Sequence, residues 1–446
     1  MDMRRLWTAV LLWLAFGQVQ AHASATLFLG EPYSYDGAFA GTGHVAVYLS
    51  RVCAESPVKL RRCTSGEQGV VLSRYHGVVG YDWLAVPLIP YLYAVDRLDE
   101  IPLYADAKLE AFLRDRYRRR YLETTVPDGE HGESPEGAWV QLVGSAYDRT
   151  IYAFQIETRE EKDDELIALF NARWNVGRYK LLSANCADFV REVINFYYPG
   201  ALHRNVIADL GVTTPKQIAK CLVHYSRHHT QLKFTHFMIP QVPGSIKRSK
   251  PVKGVVESAF KSKKYMVPLL FWHPAIVGCF AAAYFTGSGG FDPARHALVL
   301  DANLDLQPAM SGQQRRDDLS RLESLNRELV ADALPPSDHW SSLEATAQPT
   351  VDAAGRPAWR VRVRETQVEI GLTRGNIVNG SESTGIARQL LLARLREELR
   401  RTSVKTSESI VDNDLSLLEQ LGKLEERERA SRGSDEGEME TASRLR

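Results

Sequence analysis

Two stretches carry reactive side chains in an arrangement that suits thiol chemistry. Tyr179 to Val190 reads Tyr-Lys-Leu-Leu-Ser-Ala-Asn-Cys-Ala-Asp-Phe-Val, and Gly43 to Leu49, far upstream, reads Gly-His-Val-Ala-Val-Tyr-Leu. Phe189, Val190, Val193 and Ile194 repeat at helical period just after Cys186. The cysteine therefore falls in a first helical turn, where free backbone amides and the positive end of the helix dipole favour a thiolate. Such a nucleophile needs a proton acceptor. His44, heading a strand of Val and Tyr, is the candidate base: it would accept the Cys186 proton and then protonate the leaving group. The plainer alternatives are a buried structural cysteine and a packed strand histidine. A position after Asn185 at a helix entrance favours the reactive reading, because an inert thiol has no need of that location.

A third group should orient the imidazole. If Gly43 to Leu49 and Gly69 to Val79 pair as a hairpin with Ser50 facing Gly69, His44 lies opposite Tyr75 or His76. His76 is the preferred candidate, a one-residue slip promotes Tyr75, and Asp82 is a distant reserve. The backbone amide of Cys186 is the natural oxyanion donor at the helix start. Asn185 reads as the helix cap and Asp188 as charge complementing the dipole. Trp83, Tyr91 and Tyr93 are core residues in the first reading and a groove lining in the second.

The order of histidine first and cysteine later, with Leu-Leu-x-x-Asn-Cys-x-x-Phe-Val from Leu181 to Val190, resembles the circularly permuted NlpC-like papain-fold hydrolases. Relatives of these are the lecithin:retinol acyltransferase-like and PPPDE-type thiol enzymes. In ordinary papain-like enzymes the cysteine comes first. The resemblance covers residues 26 to 225. It implies an α+β fold with an antiparallel sheet packed on the nucleophile helix, and a polar orienter on the strand beside the histidine. It also implies an amide substrate such as cell-wall peptide, with acyl transfer to lipid as the alternative.

The elements that must hold these residues follow from the surrounding pattern. Strand-like runs occupy residues 26–29, 43–49 and 69–79, and another spans 147–156. A helix over 106–121 carries Arg114, Arg116, Arg118, Arg119 and Arg120, read as a solvated face. A further helix covers 163–174, and the nucleophile helix runs from Cys186 to Tyr197, stopped by Pro199-Gly200. The thiol hydrolase domain is thus expected over residues 26–240.

Residues 1–25 read as a secretory leader: Arg4 and Arg5, an apolar run from Leu6 to Gly17, then Ala21-His-Ala23 or Ala23-Ser-Ala25 as cleavage site. The expected location is exported and periplasmic. The chain has 5 cysteines. Cys53 and Cys63 are close enough to clip a loop in an oxidising compartment, leaving Cys186 free. Cys221 and Cys279 have no partner in the sequence. A metal site finds no support, since neither Cys-x-x-Cys nor His-Glu-x-x-His occurs, and no cofactor is expected. A formal net charge of +0 gives no general attraction to nucleic acid.

Residues 241–264 form a basic linker rich in Pro, Lys and Arg. Residues 265–287 are almost wholly apolar and long enough to cross a membrane; the alternative is an apolar hairpin buried in protein. The basic residues beside it conflict with an outward orientation, because such residues prefer the cytoplasmic side. Residues 288–431 are mixed and mostly helical, suited to a helical protein partner or a coiled coil. Residues 432–446 read as a disordered tail. Three functions fit: a cysteine amidase working through an acyl-enzyme thioester, a membrane-associated acyltransferase, and a catalytically inactive scaffold.

Overall fold

The structure is a computed structural model. It describes residues 23–33, 42–76, 80–177, 179–205, 209, 211–260, 263–286, 290–301, 303–330, 346–363, 366–374, 376–377 and 381–444. The leader reading falls mostly on residues 1–22, which lie outside the described residues. Of the cleavage region, Ser24 and Ala25 already belong to the first strand.

The fold is α+β. Its strands are β1 (Ser24–Gly30), β2 (His44–Leu49), β3 (Val52–Ser56), β4 (Lys59–Arg62), β5 (Val70–Ser73), β6 (Leu84–Pro87), β7 (Ile151–Glu157), β8 (Thr235–Ile239), β9 (Leu298–Leu300) and β10 (Leu306–Gln307). Eight of them form one sheet in the order β10-β9-β8-β7-β1-β2-β5-β6, antiparallel except between β8 and β9. A second sheet, from residues 348 to 377, follows later in the chain. The helices that bear on the site are α1 (Ala107–Tyr117), α2 (Glu160–Ala172), α3 (Cys186–Tyr197) and α4 (Pro215–His228).

Alternation along the central strands sorts the core into two layers. Leu27 and Leu29 of β1 and Val45, Val47 and Leu49 of β2 pack with Phe189, Val190, Val193 and Ile194 of α3 and with Ile218 and Leu222 of α4. Phe28 and Ala46 face the other way, into a core shared with Leu109 and Leu113 of α1. Trp359, Leu390, Leu391 and Leu415 from the last third of the chain complete that second core. The chain beyond residue 288 therefore contributes to the same sheet, through β9 and β10, and to the layer beneath it.

β3 and β4 form a small hairpin between β2 and β5, and Cys53 is bonded to Cys63 across it. The arginine-rich helix departs from the solvated face expected of it. α1 ends at Tyr117 and a wider turn follows over Arg118–Leu122. Arg118 is fully buried and donates to the Val126 carbonyl at 2.9 Å and to Asp115 at 2.7 Å, and it also pairs with Asp128. Arg114, equally inside, pairs with Glu110 at 2.5 Å and Asp148 at 2.6 Å. Paired carboxylates make such burial tolerable. Only Arg119 and Arg120 are exposed as the sequence suggested.

The apolar stretch does not form the spanning helix. Among the described residues, no helix is long and apolar enough to cross a membrane. Two short helices, Lys263–Trp272 and Pro274–Thr286, occupy this stretch, separated at His273. Proline explains the break: Pro274 lacks an amide hydrogen and disfavours helical conformation in the residue before it. It then serves as the first residue of the second helix, where a missing donor costs nothing. Farther on, helices cover Gly312–Val330, Ser381–Arg400 and Glu408–Arg444, so the region read as a disordered tail continues a helix to Arg444.

Candidate active site

Cys186 is the first residue of α3, as its sequence context implies. Asn185 caps the helix, its side-chain oxygen accepting from the Asp188 amide at 3.0 Å, while Asp188 reaches back to the Asn185 amide. The Asn185 amide group is also committed, donating to the carbonyls of Leu181 at 2.9 Å and Thr213 at 3.0 Å. Asp188 accepts in addition from Thr213 at 2.6 Å and Arg204 at 2.7 Å. Both residues thus hold the helix mouth, and neither is free to meet a substrate.

β2 brings His44 to the same place. Its register with β1 sets Gly30 opposite His44. Gly43 has φ +68°, and a Cβ there would stand 2.3 Å from the Gly30 carbonyl oxygen. Only glycine fits both the left-handed conformation and the close approach. This turn delivers His44 as the opening residue of the strand.

Cys186 and His44 line one cavity of about 470 Å³, together with Tyr75, His76, Gln141 and Tyr179. Their routes to it differ. His44 lies on the side of β2 that carries Ala46, whereas Cys186 packs with the layer that contains Val45. No hydrogen bond joins the two. The His44 Nε2 is buried and has no partner, and the Cys186 sulfur lies against the backbone amide of Val45, the next residue. Catalytic hydrogen bonds are often incomplete until substrate is bound.

The register sets Tyr75, and not His76, beside His44. β2 pairs with β5 through Val47–Leu72, Tyr48–Val71 and Leu49–Val70. Continued by three positions, this register sets Tyr75 across from His44. The rings of His44 and Tyr75 stack with centroids 3.8 Å apart and planes 12° from parallel. Tyr75 donates its hydroxyl to the Gln141 carbonyl at 3.1 Å, so it supports the imidazole by its ring face. His76, the preferred candidate, is one residue further along, in the turn that follows β5, and the ring stacked on His44 is that of Tyr75. It borders the cavity, edge-on to Tyr179 at 5.5 Å. Asp82 pairs with Arg74 at 2.5 Å and holds no imidazole.

Burial governs the electrostatics. Loss of solvent pushes the Cys186 thiol up to about 11, against the opposing pull of the amides of Val45, Ala187 and Cys186 itself and of the Arg149 charge. Against an ordinary thiol value of 9.0 this is a net bias of about 3 kcal/mol toward the neutral thiol. The helix dipole, worth at most about 2 kcal/mol, does not overcome it. Burial, and then the charge of Arg149, hold His44 well below the usual histidine range. The resting pair is a neutral thiol and a neutral imidazole, which replaces the resting thiolate expected from the helix position alone.

Arg149 is a charged residue beside the site that sequence reasoning missed. It is buried, its guanidinium lies 4.2 Å from the Tyr33 ring centroid, and its side chain passes over Gly30, where a Cβ would stand 2.6 Å from its Cδ. Because Gly30 is also the partner of His44, this cation is carried beside the site. A lone arginine just before a strand gave no signal in the sequence.

Aromatic residues after the second strand behave as core: Trp83, Tyr91 and Tyr93 are all buried. A second thiol–imidazole contact exists, Cys221 lying 3.7 Å and 3.8 Å from the ring nitrogens of His203. Cys221 sits in the middle of α4, packed with the Ile218 and Leu222 layer, and burial raises its thiol too. It has no helix-entrance amides. Cys53, Cys63 and Glu67 lie together, but the two sulfurs are bonded to each other and are not available as metal ligands. No family model, curated protein or solved structure matches this chain.

Proposed function

We propose that the protein is an exported, periplasmic cysteine hydrolase that cleaves an amide bond, in a peptide or cell-wall peptide, through an acyl-enzyme thioester. The domain that carries this is a permuted papain-like unit. One observation supports the reading above the others: Cys186 at the helix entrance and His44, whose Nε2 has no partner, line a single cavity. Because both groups rest neutral, the proton moves as the bond forms. Cys186 sulfur attacks the carbonyl carbon while His44 takes the thiol proton. The amide of Cys186 serves as donor to the developing oxyanion, with Gln141, which lines the same cavity, as the second donor. His44 then gives its proton to the departing amine as the carbon–nitrogen bond breaks. Water attacks the thioester, His44 accepts its proton, and Cys186 leaves with that proton as thiol.

An electrophilic thiol probe, followed by mass spectrometry, tests this reading. At pH 7 the His44→Ala variant should label at Cys186 about a hundredfold more slowly than wild type, the scale of general-base assistance. Cys186→Ala should lose that site altogether. Equal labelling rates with and without His44, both no faster than free cysteine, would refute the assignment and leave the scaffold reading. The acyltransferase reading gains from one observation, that Val255, at the foot of the apolar helices, borders the same cavity. Transfer of the acyl group to a lipid amine or alcohol instead of water would distinguish it.

A further inference from the structure

We propose that the helices Lys263–Trp272 and Pro274–Thr286 form a hairpin that seats in one leaflet of a lipid bilayer without crossing it. The observation is a run of exposed large apolar side chains on helices whose sequence carries no polar face. Phe271 and Trp272 are each 79% exposed, Leu270 is 53%, Val267 51% and Ile276 42%. No charged residue occurs from Tyr265 to Phe291. A helix that is apolar all round belongs in an apolar medium, since a water-facing helix has a polar side.

Length, shape and charge favour a bilayer as that medium over a protein partner or a second copy. The two helices pack on each other and on the helix Val255–Phe260, and the exposed side chains of both arms, Val267, Leu270, Phe271 and Trp272 on one and Ile276 on the other, form one apolar surface for a bilayer to cover. Their 10 and 13 residues correspond to about 15 Å and 20 Å of helix, against a hydrocarbon core of about 30 Å. Each arm can therefore enter a leaflet and neither can traverse the bilayer. Lys261 precedes the first arm and Lys263 and Lys264 open it, where anionic headgroups would meet them.

The base of the hairpin is fixed to the catalytic layer. The helix Val255–Phe260 precedes it, and Glu257 there forms a buried ion pair with Lys216 of α4 at 2.7 Å. The Val255 amide donates to Asp209 at 3.2 Å, and Val255 itself lines the cavity of Cys186 and His44. A hairpin seated in a leaflet would hold the cavity entrance near the headgroups. The seating itself does not depend on whether Cys186 is catalytic.

The full chain should co-sediment with vesicles of phosphatidylglycerol and phosphatidylcholine in equal parts. The Phe271→Glu/Trp272→Glu variant should bind roughly a hundredfold more weakly, given the cost of placing charge in hydrocarbon, while its probe labelling at Cys186 stays unchanged. Topology is read in a Cys279→Ser background carrying Lys263→Cys or Gly290→Cys, with a membrane-impermeant maleimide added outside the vesicles. Labelling of both positions is expected, because both ends of a hairpin emerge on one side. Labelling of only one would establish a crossing segment and overturn the proposal. So would a wild type that stays in the supernatant, or a vesicle-free dimer that the Glu substitutions dissociate, which would make a second copy the cover.

Discussion

The imidazole of His44 lies flat on the phenol ring of Tyr75, 3.8 Å between centroids, across the pairing of β2 with β5. A stacked ring fixes the plane of the imidazole and leaves Nε2 uncommitted. The arrangement differs from a carboxylate or amide that grips one nitrogen. Removing the ring should matter more than removing its hydroxyl. Tyr75→Phe keeps the stack and loses the hydroxyl with its bond to the Gln141 carbonyl, and should label at Cys186 within about threefold of wild type. Tyr75→Leu should be slower by about tenfold, the scale of a lost aromatic contact of about 1 kcal/mol. The comparison of labelling rates checks this; equal loss in both variants would show that the hydroxyl is what counts.

A neutral resting pair predicts the pH profile. Without His44, labelling requires thiolate, so its rate in His44→Ala should rise about tenfold per pH unit until it levels near pH 11, where the thiol titrates. Wild type should instead be level through neutral pH, because the imidazole remains unprotonated well below its ordinary value of 6.5. The same shift affects stability. Below pH 6.5 the unfolded chain binds a proton at this residue that the folded chain does not, so stability must fall as pH drops through that range. Thermal unfolding at pH 7 and pH 5 should show a larger loss for wild type than for His44→Gln.

Arg149 holds its charge beside both groups, lowering the proton affinity of Cys186 and of His44. Arg149→Gln should therefore move the levelling-off point of thiol labelling upward and raise the pH at which His44 protonates. Arg149→Lys should restore both. A merely structural arginine would shift melting temperature and leave these two titrations where they were.

Gly43→Ala combines a left-handed backbone with a Cβ 2.3 Å from a carbonyl oxygen. Strain of this kind costs of order 1–3 kcal/mol. Denaturant unfolding should report a loss in that range, and whatever protein folds should label slowly, since the turn sets the position of His44.

The Cys53–Cys63 bond closes a loop with a sequence separation of 10. Closing a loop of this size stabilises by about 2–3 kcal/mol. Mild reduction, or Cys53→Ser/Cys63→Ser, should lower the melting temperature by several degrees while probe labelling at Cys186 remains, because the bond tethers β3 to β4 away from the cavity.

What could be read from sequence was whatever local periodicity and capping determine. The helix from Cys186 to Tyr197 and the Asn185 cap follow from apolar spacing and one side-chain oxygen three residues from the amide that donates to it. The register of His44 follows from counting in twos along paired strands, and the choice between Tyr75 and His76 was a question of one residue. Long-range effects were hidden. The burial that keeps Cys186 protonated comes from the layers of α3, α4 and the sheet together, and Arg149 reaches His44 only because Gly30, over a hundred positions earlier, lacks a side chain. The buried pairs of Arg114 and Arg118 were invisible for the same reason: Asp148 and Asp128 join them only after folding.

The lower core layer also sets what can be cut from this chain. Phe28, Ala46 and Leu109 share their packing with Trp359, Leu390 and Leu415, and β9 occupies the flank of β8. A fragment ending near residue 240 would keep every residue of the thiol pair. It would also bare the underside of its own sheet and leave an unpaired strand at the margin, inviting self-association. The last third of the chain is thus the floor on which the reactive half stands.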